Sequence, residues 1–147
     1  MRVLLTIVAP ILLCVLTGTA VARDSRHLYP VAEALGTPKA KETLGTAVAF
    51  YFGNQEHPPA ARTLGEHTAN RKTNAANKSD RVACDWVFLT AMLALRDRAL
   101  QDGGDAVVKI TSYYKKTEMA SDTEYECHTG AVIAGVALKG TVVKLAK

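Results

Sequence analysis

Apolar residues recur at helical spacing over residues 80–101, with Val82, Trp86, Leu89, Leu93 and Leu100 on one face, widened by Val87 and Met92. Asp85, Arg96, Asp97 and Asp102 fall outside that face. Ser79 stands where an N-cap belongs, Asp80 sits in the first turn where the helix dipole favours a negative charge, and Gly103-Gly104 supplies the C-terminal stop. This pattern predicts one long amphipathic helix. Elsewhere the chain reads as strand. Residues 46–52 (TAVAFYF) are β-branched and aromatic without a breaker, and residues 62–72 form a more polar extended segment. Residues 105–114 alternate, with Val108, Ile110 and Tyr114 on one face and Lys109, Thr111 and Tyr113 on the other. Residues 123–139 form one extended run with Val132, Ala134, Val136 and Leu138 facing one way, and residues 141–145 add a short edge. Ahead of these, residues 23–45 read as an N-terminal arm with two short helical turns, each opened by a proline (Pro30, Pro38) and closed by a glycine (Gly36, Gly45).

Residues 1–22 stand apart from this pattern. Arg2 precedes an uncharged apolar run over residues 3–16, and Ala20-Val21-Ala22 places small residues at the −3 and −1 positions of a cleavage site. That is the pattern of a secretory signal peptide, and the run is shorter than the ~20 residues of a bilayer span. Cys14 follows Leu12-Leu13 rather than the small residue that a lipid-attachment site wants, so it is expected to leave with the leader. The next longest apolar stretch, residues 131–138, is too short to cross a membrane. The expectation is therefore a periplasmic or secreted protein without membrane insertion after cleavage, with a single α+β domain over residues 46–147.

Export changes what the cysteines mean. Of three in the chain, Cys84 and Cys127 remain, and an isolated pair in an oxidising compartment is most simply a disulfide. In the chain-entropy model such a loop is worth about 4 kcal/mol. Two free thiols or two metal ligands are the alternatives. If bonded, the pair pins the start of the helix to the last long strand. The fold class read here is α+β: one long amphipathic helix packed on a small, mainly antiparallel sheet, with a helix-to-strand disulfide.

Short runs of the chain carry two resemblances. The runs at residues 51–58 (YFGNQEHP), 72–80 (KTNAANKSD), 112–116 (SYYKK) and 125–131 (YECHTGA) resemble, over most of residues 24–145, a group of small exported bacterial proteins that bear the name excinuclease ATPase subunit. Residues 95–110 (LRDRALQDGGDAVVKI) and 125–139 (YECHTGAVIAGVALK) resemble the stress-sensor lipoprotein of the Rcs pathway and the related YbjQ-like domains, over about a third of the chain. In that sensor a disulfide joins the segment before the helix to the segment before the last strand, and Cys84 and Cys127 fall in comparable places. The sensor's lipid attachment, Pro-rich linker and second cysteine pair are missing here. The excinuclease name implies a phosphate-cradling loop followed by Lys and Ser or Thr. The nearest approach, residues 130–135, is followed by Val136-Ala137, which excludes an ATPase.

Other chemistry is sparse. Cys127-His128, with Cys84 and His67, is the strongest metal set, yet adjacent ligands cannot both reach one ion without backbone strain, and no Cys-x-x-Cys or His-x-x-x-His spacing occurs. No G-x-S-x-G elbow or HExxH is present, and Glu66-His67 on an extended chain point to opposite faces. Arg71, Lys72, Lys78 and Arg81, with residues 113–116 (YYKK), are the candidates for nucleic acid, but a formal net charge of +4 for the whole chain is too small to compel it. Tyr113 and Tyr114 alternate, so one of them, like Trp86, is expected in the core. The expected function is an exported, non-enzymatic binding or sensing module with an envelope protein as partner, no cofactor and no nucleic acid. The alternative is a small exported metal- or thiol-responsive protein.

Overall fold

The structure is a computed structural model that describes residue 18 and residues 22–147. The expected leader and Cys14 otherwise lie outside the described residues. The chain runs through β1 (Ser25–Pro30), α1 (Val31–Gly36), α2 (Pro38–Leu44), β2 (Ala49–Phe52), β3 (Ala60–Asn74), α3 (Asp80–Gln101), β4 (Ala106–Ser112), a single 3-10 turn (Tyr114–Lys116), β5 (Glu124–Thr129) and β6 (Ile133–Leu145). The six strands form one sheet, antiparallel except where β2 joins β4. The α+β class, the single long helix and its disulfide to the sheet all stand as expected.

Strand β6 organises the sheet. It pairs with β3 along nearly its whole length on one side. On its other side it pairs first with the end of β5 and then with β4, which are flanked in turn by β1 and β2. Residues 141–145 are thus the second half of a central strand and not an added edge. Residues 123–139 are not one run either: Gly130 turns the chain, its N–H donating to the Ile133 carbonyl, and β5 and β6 return antiparallel. In the arm both short helices form where expected, and Thr37 caps α2 by accepting from the Ala40 N–H. Ahead of them lies an element the sequence reading left out, β1, which pairs with all of β5.

Helix α3 has the ends its sequence signals promised. The Ser79 hydroxyl accepts from the Val82 N–H at 3.2 Å. At the other end Gly103 takes φ +78°, while the N–H groups of Gly103 and Gly104 donate to the carbonyls of Leu100 and Ala99. Gly104 is also held by space, since a Cβ there would lie 2.5 Å from Val142 Cγ1.

The buried face of α3 is only partly the expected one: Val87, Leu89 and Met92 are buried and Leu93 packs against the core, but the seam is displaced from the rest of the stripe. Ala83, Cys84, Val87, Phe88, Leu89, Ala91, Met92, Leu95 and Ala99 are the buried residues of the helix. Val82, Trp86 and Leu100 are 58%, 54% and 49% exposed. The expected stripe followed the largest apolar side chains. The true seam runs along Ala83, Ala91 and Ala99, whose small side chains let the helix axis approach β3 and β6 while Phe88, Met92 and Leu95 fill the space beside it. Trp86 is therefore not a core residue.

Strand β4 departs from simple alternation as well. Lys109 adopts φ +52°, and the register with β6 slips between Val108 and Thr111. Val107 and Ile110 consequently both face the main core, whereas Val108 joins Ala106 and Val143 in a small cluster apart from it. Neither Tyr113 nor Tyr114 is buried. Phe88 stacks on Tyr125 at 3.9 Å between ring centroids, and Phe52 lies tilted against Phe88 at 6.1 Å.

These placements separate two aromatic residues two positions apart. Phe88→Ala is expected to lower the unfolding free energy by about 3–5 kcal/mol. Trp86→Ala is expected to change it by less than about 1 kcal/mol. Urea unfolding followed by far-ultraviolet circular dichroism measures both, and equal losses would restore the expected stripe.

Candidate binding site

Cys84, in the second turn of α3, and Cys127, in β5, are bonded with 5.9 Å between their α-carbons, and both are fully buried. Alternation along β5 then sets the surroundings. Tyr125, Cys127 and Thr129 are wholly buried, while the side chains of Glu126 and His128 meet Asp24 and Arg26 instead. The Tyr125 hydroxyl donates to Asp85 Oδ1 at 2.7 Å, and Arg81 Nε donates to both Asp85 oxygens. Burial, reinforced by the bond to Asp85, raises the Tyr125 phenol far above its ordinary range. Arg81 also donates to Glu33 and lies over the Tyr29 ring, so the arm is fastened to the first turns of α3. Asp85, read from sequence as merely outward-facing, is a hinge pin between helix, strand and arm.

The four residues weighed as metal ligands do not meet. The two sulfurs bind each other. His128 belongs to a separate cluster: Nε2 lies 2.7 Å from Glu126 Oε1 and Nδ1 lies 3.1 Å from Asp24 Oδ1. Each ring nitrogen thus faces a carboxylate oxygen. Tyr114 stacks on this ring at 3.5 Å, nearly parallel, and Arg26 donates to the second oxygen of Glu126. The bond to His128 holds the Asp24 carboxyl below the usual carboxylate range. His67 stands elsewhere, on β3, with Nε2 2.7 Å from Asp102 Oδ2 beyond the end of α3. Among the described residues no group of three or more His, Cys, Asp or Glu is arranged to hold a metal ion.

The basic residues are dispersed in the same way. Arg81 is tied to Asp85 and Glu33, Lys115 lies near Asp24 and over Tyr114, and Lys139 lies over Tyr113. Lys72 and Lys78 stand beside clefts. One cleft of about 260 Å³ is lined by Lys72, Arg23, Asp24, Tyr114, His128 and Ile133. A second, of about 220 Å³ and largely apolar, lies between Thr73, Lys78, Val82, Ala83 and Trp86. A third, of about 260 Å³, takes the other side of Trp86, with Ala34, Lys39 and Leu89 in its wall. The indole is thus a ridge between two hollows. Sequence reasoning missed this site because it counted Trp86 toward the core. The available signal was the alanine series on the neighbouring face of α3.

No helix among the described residues is long and apolar enough to cross a membrane. Compared with protein-family models and with curated proteins, the chain matches none of them.

Two outcomes follow from this geometry. Replacing both Cys84 and Cys127 by alanine is expected to lower the unfolding free energy by about 2–4 kcal/mol in urea titrations, because the unfolded chain regains the entropy of the open loop. Asp24 binds its proton more weakly in the folded state than in the unfolded one. The stability it contributes is therefore complete above the ordinary carboxylate range and is lost as pH falls through its lower folded value. A carbon-detected NMR titration should place the Asp24 midpoint below about 3.9 and return it toward that value in His128→Gln.

Proposed function

We propose that the chain is an exported, non-enzymatic binding or sensing module of the cell envelope, with Trp86 as its central contact. The observation that carries this reading is the half-exposed indole standing between two clefts on a helix that is capped at both ends and bonded to the sheet. A large aromatic side chain held on a rigid element, with hollows on either side, is the usual anchor of a protein interface. It loses little conformational entropy on binding and offers much apolar surface to cover.

The leader pattern and the disulfide support export. His67 and His128 lie against carboxylates, and the hydroxyl beside His27 is that of the wholly buried Thr129, out of reach of a substrate, which favours binding over catalysis. A thiol-responsive role has less support, because both sulfurs are enclosed and exchange with a soluble thiol would need the helix to lift from β5. Dispersal of the four candidate ligands weighs equally against a metal-responsive one.

The test replaces Trp86 of the purified oxidised protein by an aromatic photo-crosslinking residue, which keeps a ring at the anchor, and illuminates it with an envelope extract. One adduct of discrete mass is expected, competed away by excess unlabelled protein but not by Trp86→Ala protein. The same residue at position 97, exposed on the same helix, should give no such adduct. Equal adducts at both positions, or competition by Trp86→Ala, would overturn the reading.

A further inference from the structure

We infer that the partner engaged at Trp86 is an acidic segment in extended conformation, which adds as a new strand to the outer edge of β3. This rests on the binding role just proposed and goes further by naming the chemistry of the occupant.

Strand β3 pairs with β6 alone, so among the described residues its outer edge carries no strand. Which backbone groups point outward can be deduced. Asn70 lies opposite Ala137, and the Ala137 carbonyl accepts from the Tyr113 N–H on the far side of β6. An antiparallel residue points both its backbone groups to the same side, so this pair exchanges no bond, and Asn70 presents its N–H and carbonyl outward. Ile133, opposite Asn74, likewise spends its carbonyl on Gly130. Alternation adds Lys72 between them. The Asn70 and Asn74 carbonyls accept only from the side chains of Arg71 and Lys78, contacts that an incoming strand can displace.

The two faces of this edge prescribe the side chains. The Thr73 side chain helps form the apolar cleft under Trp86, and Lys72 lines the cleft of Tyr114 and His128 on the opposite face. A strand laid along residues 70–74 alternates its own side chains between those faces, so an apolar one enters beside Thr73 and Trp86, with Arg71 on the same face, while those on the other face pass Lys72. Charge then selects the partner. β3 carries Arg62, Arg71 and Lys72 against Glu66, and Lys78 follows. Two copies of this edge would set like charges against each other, whereas carboxylates on the added strand answer them. The regular half of β3, beyond the irregularities at residues 60–65, contains neither proline nor bulge to block the addition.

Trp86 is the chain's single tryptophan, so its emission reports occupancy directly. The probe is a capped eight-residue peptide that alternates glutamate with valine and phenylalanine, beside a version with lysine for every glutamate. The acidic peptide should shift Trp86 emission to shorter wavelength and saturate, weakening at least about fivefold from low to high salt. Asn70→Pro removes an outward N–H that β6 does not use, and should weaken binding about tenfold while far-ultraviolet circular dichroism and the melting midpoint stay unchanged. If Asn70→Pro fails to fold, Lys72→Glu serves: it should weaken the acidic peptide and strengthen the basic one. Equal binding of both peptides, full binding by the variant tested, or no saturable binding overturns strand addition. So does a dimer in sedimentation velocity that Asn70→Pro dissolves, which would make the occupant a second copy. If the peptide fails while the crosslink at position 86 remains competable, the binding role stands and only its extended acidic occupant falls.

Discussion

A helix lying on a sheet can roll about its own axis, and in this molecule one covalent bond stops it. The Cys84–Cys127 link fixes the azimuth of α3 in its second turn, and the stack of Phe88 on Tyr125 holds the same azimuth one turn later. The Tyr125 hydroxyl adds a third tie through Asp85. With those three set, the faces of every other helical residue follow. Alanines come to lie against β3 and β6, and Trp86 is left toward solvent. The exposed indole is thus a result of how the core closes, and the clefts beside it are shaped by elements that the same ties hold in place.

How far the sequence discloses this depends on the kind of signal. Helix ends are local, and Ser79, Asp80 and the glycine pair place α3 at Asp80–Gln101. The disulfide is legible because compartment and cysteine number agree, without any knowledge of the fold. Faces are not local. The stripe of Val82, Trp86 and Leu100 looks apolar on its own, but the sheet selects the neighbouring stripe because small residues permit closer approach. In β4 a single residue in the left-handed region, Lys109, inverts the alternation, and a lysine gives no hint of it. β1 escaped notice because its half-exposed alternation is short and contains two charged or imidazole side chains, Arg26 and His27.

The candidate site shows the same division. Its parts are visible as residue types, including Trp86, Lys72, Lys78 and the long polar segment that becomes β3. What makes them a site is their juxtaposition across elements, and that requires the sheet order. The polar character of β3 also reads differently once its place is known. On a strand with one open side, arginine and lysine would set like charges against a second copy, without lessening the hydrogen-bonding capacity of the backbone.

The pairing of β1 with β5 sets a timetable. Ser25 meets Thr129 and Pro30 meets Glu124, so β1 must wait for a partner made about a hundred residues after it. Until then β1 has no ladder, Cys84 has no thiol to join, and the nascent polypeptide must remain unfinished. Completion therefore carries the slow closure that such distant pairings impose, and the joining of Cys84 to Cys127 is the natural moment at which it becomes permanent.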